Sequence, residues 1–113
     1  IEQDHLDGLS DTQVRITGHR CPEGAGIECL NYLQPAGGRP LPADQNGADS
    51  AHWQIRLAVS DLEAIASQLE SYGGSWVSPG IVELSGEQAT ALGFSRALQI
   101  RDPDSHQLQI VCS

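Results

Sequence analysis

The stretch HWQIRLAVSDLEAIASQLESYGG, residues 52–74, decides the fold. Its first eight residues alternate, with Trp53, Ile55, Leu57 and Val59 on one face and His52, Gln54, Arg56 and Ala58 on the other. That is the period-2 pattern of a strand with one buried side. Ser60-Asp61 then supplies an N-cap signal, and Glu63 places negative charge in the first helical turn, where the helix dipole favours it. Leu62, Ile65, Ala66 and Leu69 repeat at helical spacing as far as Tyr72, and Gly73-Gly74 stops the helix. The expected core between helix and sheet is Trp53, Ile55, Leu57, Val59, Leu62, Ile65 and Leu69.

Strand patterns follow at 75–78 with 81–84, at 94–101 (FSRALQIR) and at 106–112 (HQLQIVC), the last two joined by the turn Asp102-Pro103-Asp104-Ser105. On the other side, 13–20 (QVRITGHR) and 27–33 (IECLNYL) flank the turn residues Pro22 to Gly26 and predict an antiparallel hairpin. Residues 34–50 hold Pro35, Pro40 and Pro42 with Gly37, Gly38 and Gly47, and read as an extended connector. The first eleven residues are polar and acidic without a clear period, and read as a loop or frayed start. The order is a hairpin, then strand, helix and three strands: an α+β arrangement.

With 113 residues the chain fits one domain, and it can bury about 60–68% of its unfolded surface. The formal charge is −9 and the pI is near 4.5. All six basic residues are Arg; Lys is absent. Schiff-base chemistry on a lysine is therefore excluded. Without a basic stripe, nucleic acid and anionic membrane surfaces are not expected partners. No apolar stretch reaches the roughly 18 residues of a membrane span, and no targeting signal is present, so the default expectation is a cytoplasmic protein. The chain starts at Ile1 and contains no Met, which suggests a processed start or a piece of a longer reading frame. Cys21, Cys29 and Cys112 form no CxxC pair. Cys21 and Cys29 could face each other across the hairpin, but free thiols are the expected state.

Three motifs in order carry a family resemblance: IRLAVSDLEA at 55–64, the Gly pair at 73–74, and RDPDSHQLQI at 101–110. Residues 52–113 resemble one βαβββ module of the vicinal oxygen chelate superfamily, which holds glyoxalases, bleomycin-resistance proteins, extradiol dioxygenases and methylmalonyl-CoA epimerases. In the last motif that superfamily usually shows R-D-P-D-G-N-x-x-E. The hairpin at 12–34 looks like the end of a preceding, incomplete module, with 35–51 as linker, the whole of 1–113 counting as a single domain. A complete pair of modules curls two four-stranded sheets around one cavity, and this chain supplies roughly six of those eight strands. The resemblance therefore also implies a homodimer, since open strand edges recruit further edges.

The resemblance implies a divalent metal acting as Lewis acid on vicinal oxygens, held by a His on the first strand and a Glu on the last strand of each module. Iron, manganese, nickel, cobalt and zinc suit such ligand sets. Carried onto this sequence, the histidine position falls on Gln54, seven residues before Asp61, and the glutamate position on Gln109. The glutamate position of the incomplete module falls on Glu28. Only Glu28 is a strong ligand type, because a neutral amide oxygen carries no formal charge.

His52 is a further metal candidate, two residues from Gln54 and so on the same face. His106 lies three before Gln109 and would need a bulge to join it. His5 and His19 have no partner pattern. Arg56 shares the Gln54 face and suits a ligand carboxylate or phosphate, or else an ion pair with Glu28 or another acid. Tyr32 shares the Glu28 face and adds a hydroxyl to the candidate cavity, and Arg96 is a weaker candidate. Three functional readings follow. The first is a small-molecule binding protein with a degenerate metal site and a cavity formed with a partner chain, needing no cofactor. The second is a metal-dependent lyase, isomerase or dioxygenase completed across a dimer. The third is a folded remnant without the ancestral activity.

Overall fold

A computed structural model describes residues 2–113, which divide into two compact units on either side of the boundary between residues 39 and 40. In the first unit, β1 (Gln13–His19) and β2 (Ile27–Gln34) form a two-stranded antiparallel sheet, with Val14 opposite Tyr32, Ile16 opposite Leu30 and Gly18 opposite Glu28. The start of the chain is not a loop: α1 (Glu2–Asp7) precedes the hairpin. Two of its side chains are tied to residues that follow it. Asp4 accepts the Thr12 backbone N–H at 2.7 Å, and Tyr32 donates its hydroxyl to Asp7. The three cysteines are free.

In the second unit, β3 (Gln54–Ala58) leads into α2 (Leu62–Gln68) and a 3-10 turn at Glu70–Tyr72. Asp61 caps α2, its carboxylate accepting the Ala64 N–H at 2.9 Å. Gly73 ends the turn at φ 77°, a left-handed conformation that favours glycine. Gly74 is required for a different reason: a Cβ there would stand 2.3 Å from Leu69 Cδ1 and 3.2 Å from the Arg101 carbonyl oxygen.

The sheet order is β3, β7 (Gln107–Cys112), β6 (Arg96–Arg101) and β4 (Ser75–Trp76), with β5 (Val82–Glu83) also on β6. β3 and β7 are parallel and the other pairs antiparallel. β4 and β5 follow the same edge of β6 and are separated by a bulge. There Val77 and Ser78 both donate to the Gln99 carbonyl, at 2.9 and 3.1 Å, and Ser78 Oγ accepts the Gln99 N–H at 3.0 Å. Between β5 and β6, α3 (Gly86–Leu92) was not expected from periodicity. This is the α+β class that the hydrophobic pattern indicated.

The core lies on one face of this sheet. Leu62 and Leu69 of the helical segment pack on Leu98, Ile100 and Ile110, with Leu57, Val59 and Leu108 at the margin. Leu62 and Leu98 are fully buried, each worth about 1.5–3 kcal/mol of transfer free energy. Two expected core residues lie elsewhere. Trp53 is 53% exposed, because β3 begins only at Gln54 and the residue before it escapes the alternation. Ile65 is 37% exposed, at the rim of the helix face. Among the described residues, no helix is long and apolar enough to cross a membrane.

Candidate functional site

The face of the sheet opposite α2 carries the candidate residues, and strand register sets them in three rows. Gln54, Gln107 and Arg101 stand side by side across β3, β7 and β6. The next row is Arg56, Gln109 and Gln99, and the third is Ala58, Val111 and Ala97. Alternation explains the arrangement: the partners of these residues in sequence, such as Leu57, Leu98 and Ile110, point to the helix.

The amides interlock. Gln99 Nε2 donates to Gln54 Oε1 at 3.3 Å, and Gln107 Nε2 donates to Gln99 Oε1 at 3.3 Å. Arg56 Nε donates to Gln109 Oε1 at 2.6 Å, and its guanidinium lies over the Phe94 ring at 5.0 Å. Phe94 is buried with Ala97 and Val111 at the apolar end of the face. Arg101 Nη2 donates to the Gln45 carbonyl at 2.9 Å. Two arginines therefore share this face with four glutamines, and within residues 40–113 neither has a carboxylate ion-pair partner.

Gln54 and Gln109 share the face, on adjacent strands and two register positions apart. Glu28 and Tyr32 lie on β2 in the other unit, where the Tyr32 hydroxyl is turned to Asp7. Within either unit, no three His, Cys, Asp or Glu side chains among the described residues are grouped as a metal site. The donor set on the sheet does not suit a dication. Its oxygens are neutral, and that of Gln109 already accepts a hydrogen bond from a cation.

The two histidines converge in another way. His52 and His106 line a small cleft of about 10 Å³ with Trp53, Arg101 and Gln107, room for about one water. His106 precedes β7, so strand alternation does not govern it. Its Nδ1 meets Asp102 Oδ2 at 3.0 Å, and its ring centroid lies 5.6 Å from that of Trp53. Asp102 Oδ1 also accepts the backbone N–H groups of Asp104 and His106, at 2.9 and 2.8 Å, closing the loop. Ser105 adopts φ 72° there, at the position where the superfamily motif has Gly.

Arg96 points to the helix side, where it pairs with Glu63 and, at 2.7 Å, with Glu83. Hydrogen bonding to Arg96 holds the Glu63 carboxyl below its ordinary range. The residues missed from sequence are Gln99, Gln107, Arg101 and Phe94. Their signal was available for three of them, since alternation within 96–101 and 107–112 places each glutamine and Arg101 opposite a core leucine or isoleucine.

No protein-family model matches this sequence, and no curated protein sequence is detectably similar to it. Among solved structures, the chain is similar to a glyoxalase family protein from Bacillus cereus, with a TM-score of 0.69. The two are 21% identical, over 98% of this chain and 69% of that one. The likeness is one of fold: this chain has a glyoxalase-type fold.

Proposed function

We propose that this chain binds a small organic molecule on the amide-and-arginine face of the five-stranded sheet, without a divalent metal, in a cavity that a second copy completes. The observation that carries this reading is the contact between Arg56 Nε and Gln109 Oε1. Where the family resemblance calls for an anionic metal ligand, the side chain is neutral and its oxygen faces a positive charge. Such an oxygen positions an arginine; it does not attract a cation.

The second copy is suggested by the first unit. A two-stranded sheet is marginal alone, and here Ile16 is 58% and Leu30 45% exposed on a shared face. Sedimentation velocity across a range of protein concentrations tests this part, and a monomer throughout would remove it.

Metal content tests the central claim. Tag-free protein is measured by mass spectrometry before and after incubation with iron, manganese, cobalt, nickel and zinc, followed by desalting. Less than about one metal per ten chains is the expected result. A tightly held metal at one per chain or per dimer would overturn it. The metal-dependent lyase, isomerase or dioxygenase reading, with Glu28 as its carboxylate, would then take its place.

A further inference from the structure

We infer that Arg56 is the anion-recognition residue of this face, and that its ligand is a small monocarboxylate with an apolar body. This rests on the reading of the face as a binding surface, and names what that surface selects.

The argument begins with charge. In a chain carrying −9, an exposed arginine is expected to find an acid, and Arg96 finds two. Within its own unit Arg56 finds none; it is held by groups that leave its charge intact. Gln109 takes only the Nε hydrogen, which fixes the direction of the guanidinium, and the Phe94 ring lies beneath it at 5.0 Å. Both terminal nitrogens remain as a fork of parallel donors, the geometry that matches a carboxylate with two hydrogen bonds. Because these two contacts hold the guanidinium before a ligand arrives, less side-chain entropy is left to lose on binding.

The neighbours narrow the class. Gln54 and Gln99 offer amide donors but no charge. The other cation of this face, Arg101, stands in the next row with its Nη2 donated to the Gln45 carbonyl, so a single positive charge meets the ligand at the fork. That suits a monoanion better than a phosphate dianion. Beyond Arg56 the row of Ala58, Val111 and Ala97 is apolar and made of small side chains, with Phe94 packed beside it. A ligand with its carboxylate on the fork lies with its apolar end towards that row.

The test uses the full chain, isotopically labelled, and follows the arginine Nε–H and glutamine side-chain amide signals by NMR at constant ionic strength. Sodium benzoate is the probe and benzamide its uncharged counterpart. Benzoate is expected to shift the Arg56 Nε–H and Gln109 amide signals saturably, while Arg96, already paired, stays still. Benzamide is expected to bind at least about tenfold more weakly. Arg56→Gln should lower benzoate affinity by about tenfold or more, and Arg56→Lys, which keeps the charge without the fork, should recover only part of it. Inorganic phosphate should compete less well than benzoate.

Absence of a benzoate shift at Arg56 overturns the assignment, as does full affinity in the Arg56→Gln variant or tighter binding of phosphate. Equal shifts from benzoate and benzamide also overturn it, yet leave the face as a binding surface. Near-stoichiometric metal would instead sink the underlying reading, whatever benzoate does.

Discussion

Arg96 and Arg56 stand on opposite faces of one sheet, and the two faces treat positive charge differently. On the helix side Arg96 is neutralised by Glu63 from α2 and Glu83 from β5. These contacts join the helix to the sheet. On the other side Arg56 is held by an amide oxygen and an aromatic ring, which direct the guanidinium without cancelling its charge. The helix face is apolar with charge only at its margin, whereas the open face is a lattice of amides and arginines over a small apolar patch. The contrast separates a face that stabilises the fold from one suited to recognition.

The largest expected effect tests the core side of that contrast. Leu98→Ala should destabilise the second unit by about 2–5 kcal/mol, through lost transfer free energy and the cavity left behind. Its sequence neighbour Gln99, on the open face, should cost only about 1 kcal/mol when changed to Ala. Urea unfolding measures both, and equal losses would break the distinction between the faces. Gly74→Ala should cost about 1–3 kcal/mol, because the new methyl group must displace buried Leu69; an unchanged urea midpoint would show that the helix end yields.

Ser105→Gly should act in the opposite direction and stabilise by about 0.5–1 kcal/mol, since a left-handed φ of 72° is unfavourable for a residue with a Cβ. A loss in thermal stability would mean that the hydroxyl matters more than the backbone.

The smallest effect concerns the Arg96 pair. The Glu63 carboxyl sits below its ordinary pKa in the folded chain, so the pair contributes stability above the unfolded value. That contribution is lost as pH falls through the folded one. Thermal midpoints at pH 7 and pH 3 should therefore differ less in Glu63→Gln than in the parent, and added salt should narrow the gap. Identical pH profiles would show that this exposed pair contributes nothing.

Much of the fold was legible because alternation and helical spacing are local signals. The hairpin, β3, α2, β6 and β7 all follow from runs whose apolar period is unambiguous. What escaped was short and held by specific side chains. The helix at 86–92 has little apolar period, but Ser85 and Gln88 form a capping box, with Oγ accepting the Gln88 N–H at 3.3 Å and Oε1 accepting the Ser85 N–H at 3.1 Å. The S-x-x-Q spacing, closed by Gly93, was the available signal. Trp53 extends the alternation of β3 in sequence, yet it precedes the strand and stays exposed, because a hydrophobic residue beside a strand carries the same local pattern as one inside it. His106 continues the polar-apolar run of β7 in sequence, but Asp102 holds it in the preceding loop, where strand alternation does not apply.

By itself, then, the sequence determined which residues share a face: Gln54 with Arg56, Gln107 with Gln109, Gln99 with Arg101. Period-2 alternation is intrinsic to an extended backbone, and a single buried side fixes its phase. Only the tertiary structure decided that these three pairs form one lattice. That outcome depends on strand order and register, with β7 inserted between β3 and β6, and pairing across such sequence distances leaves no local trace. The partner of Arg56 was decided in the same way. Gln109 lies 53 residues away, and only the parallel register of β3 with β7 brings its amide to the guanidinium.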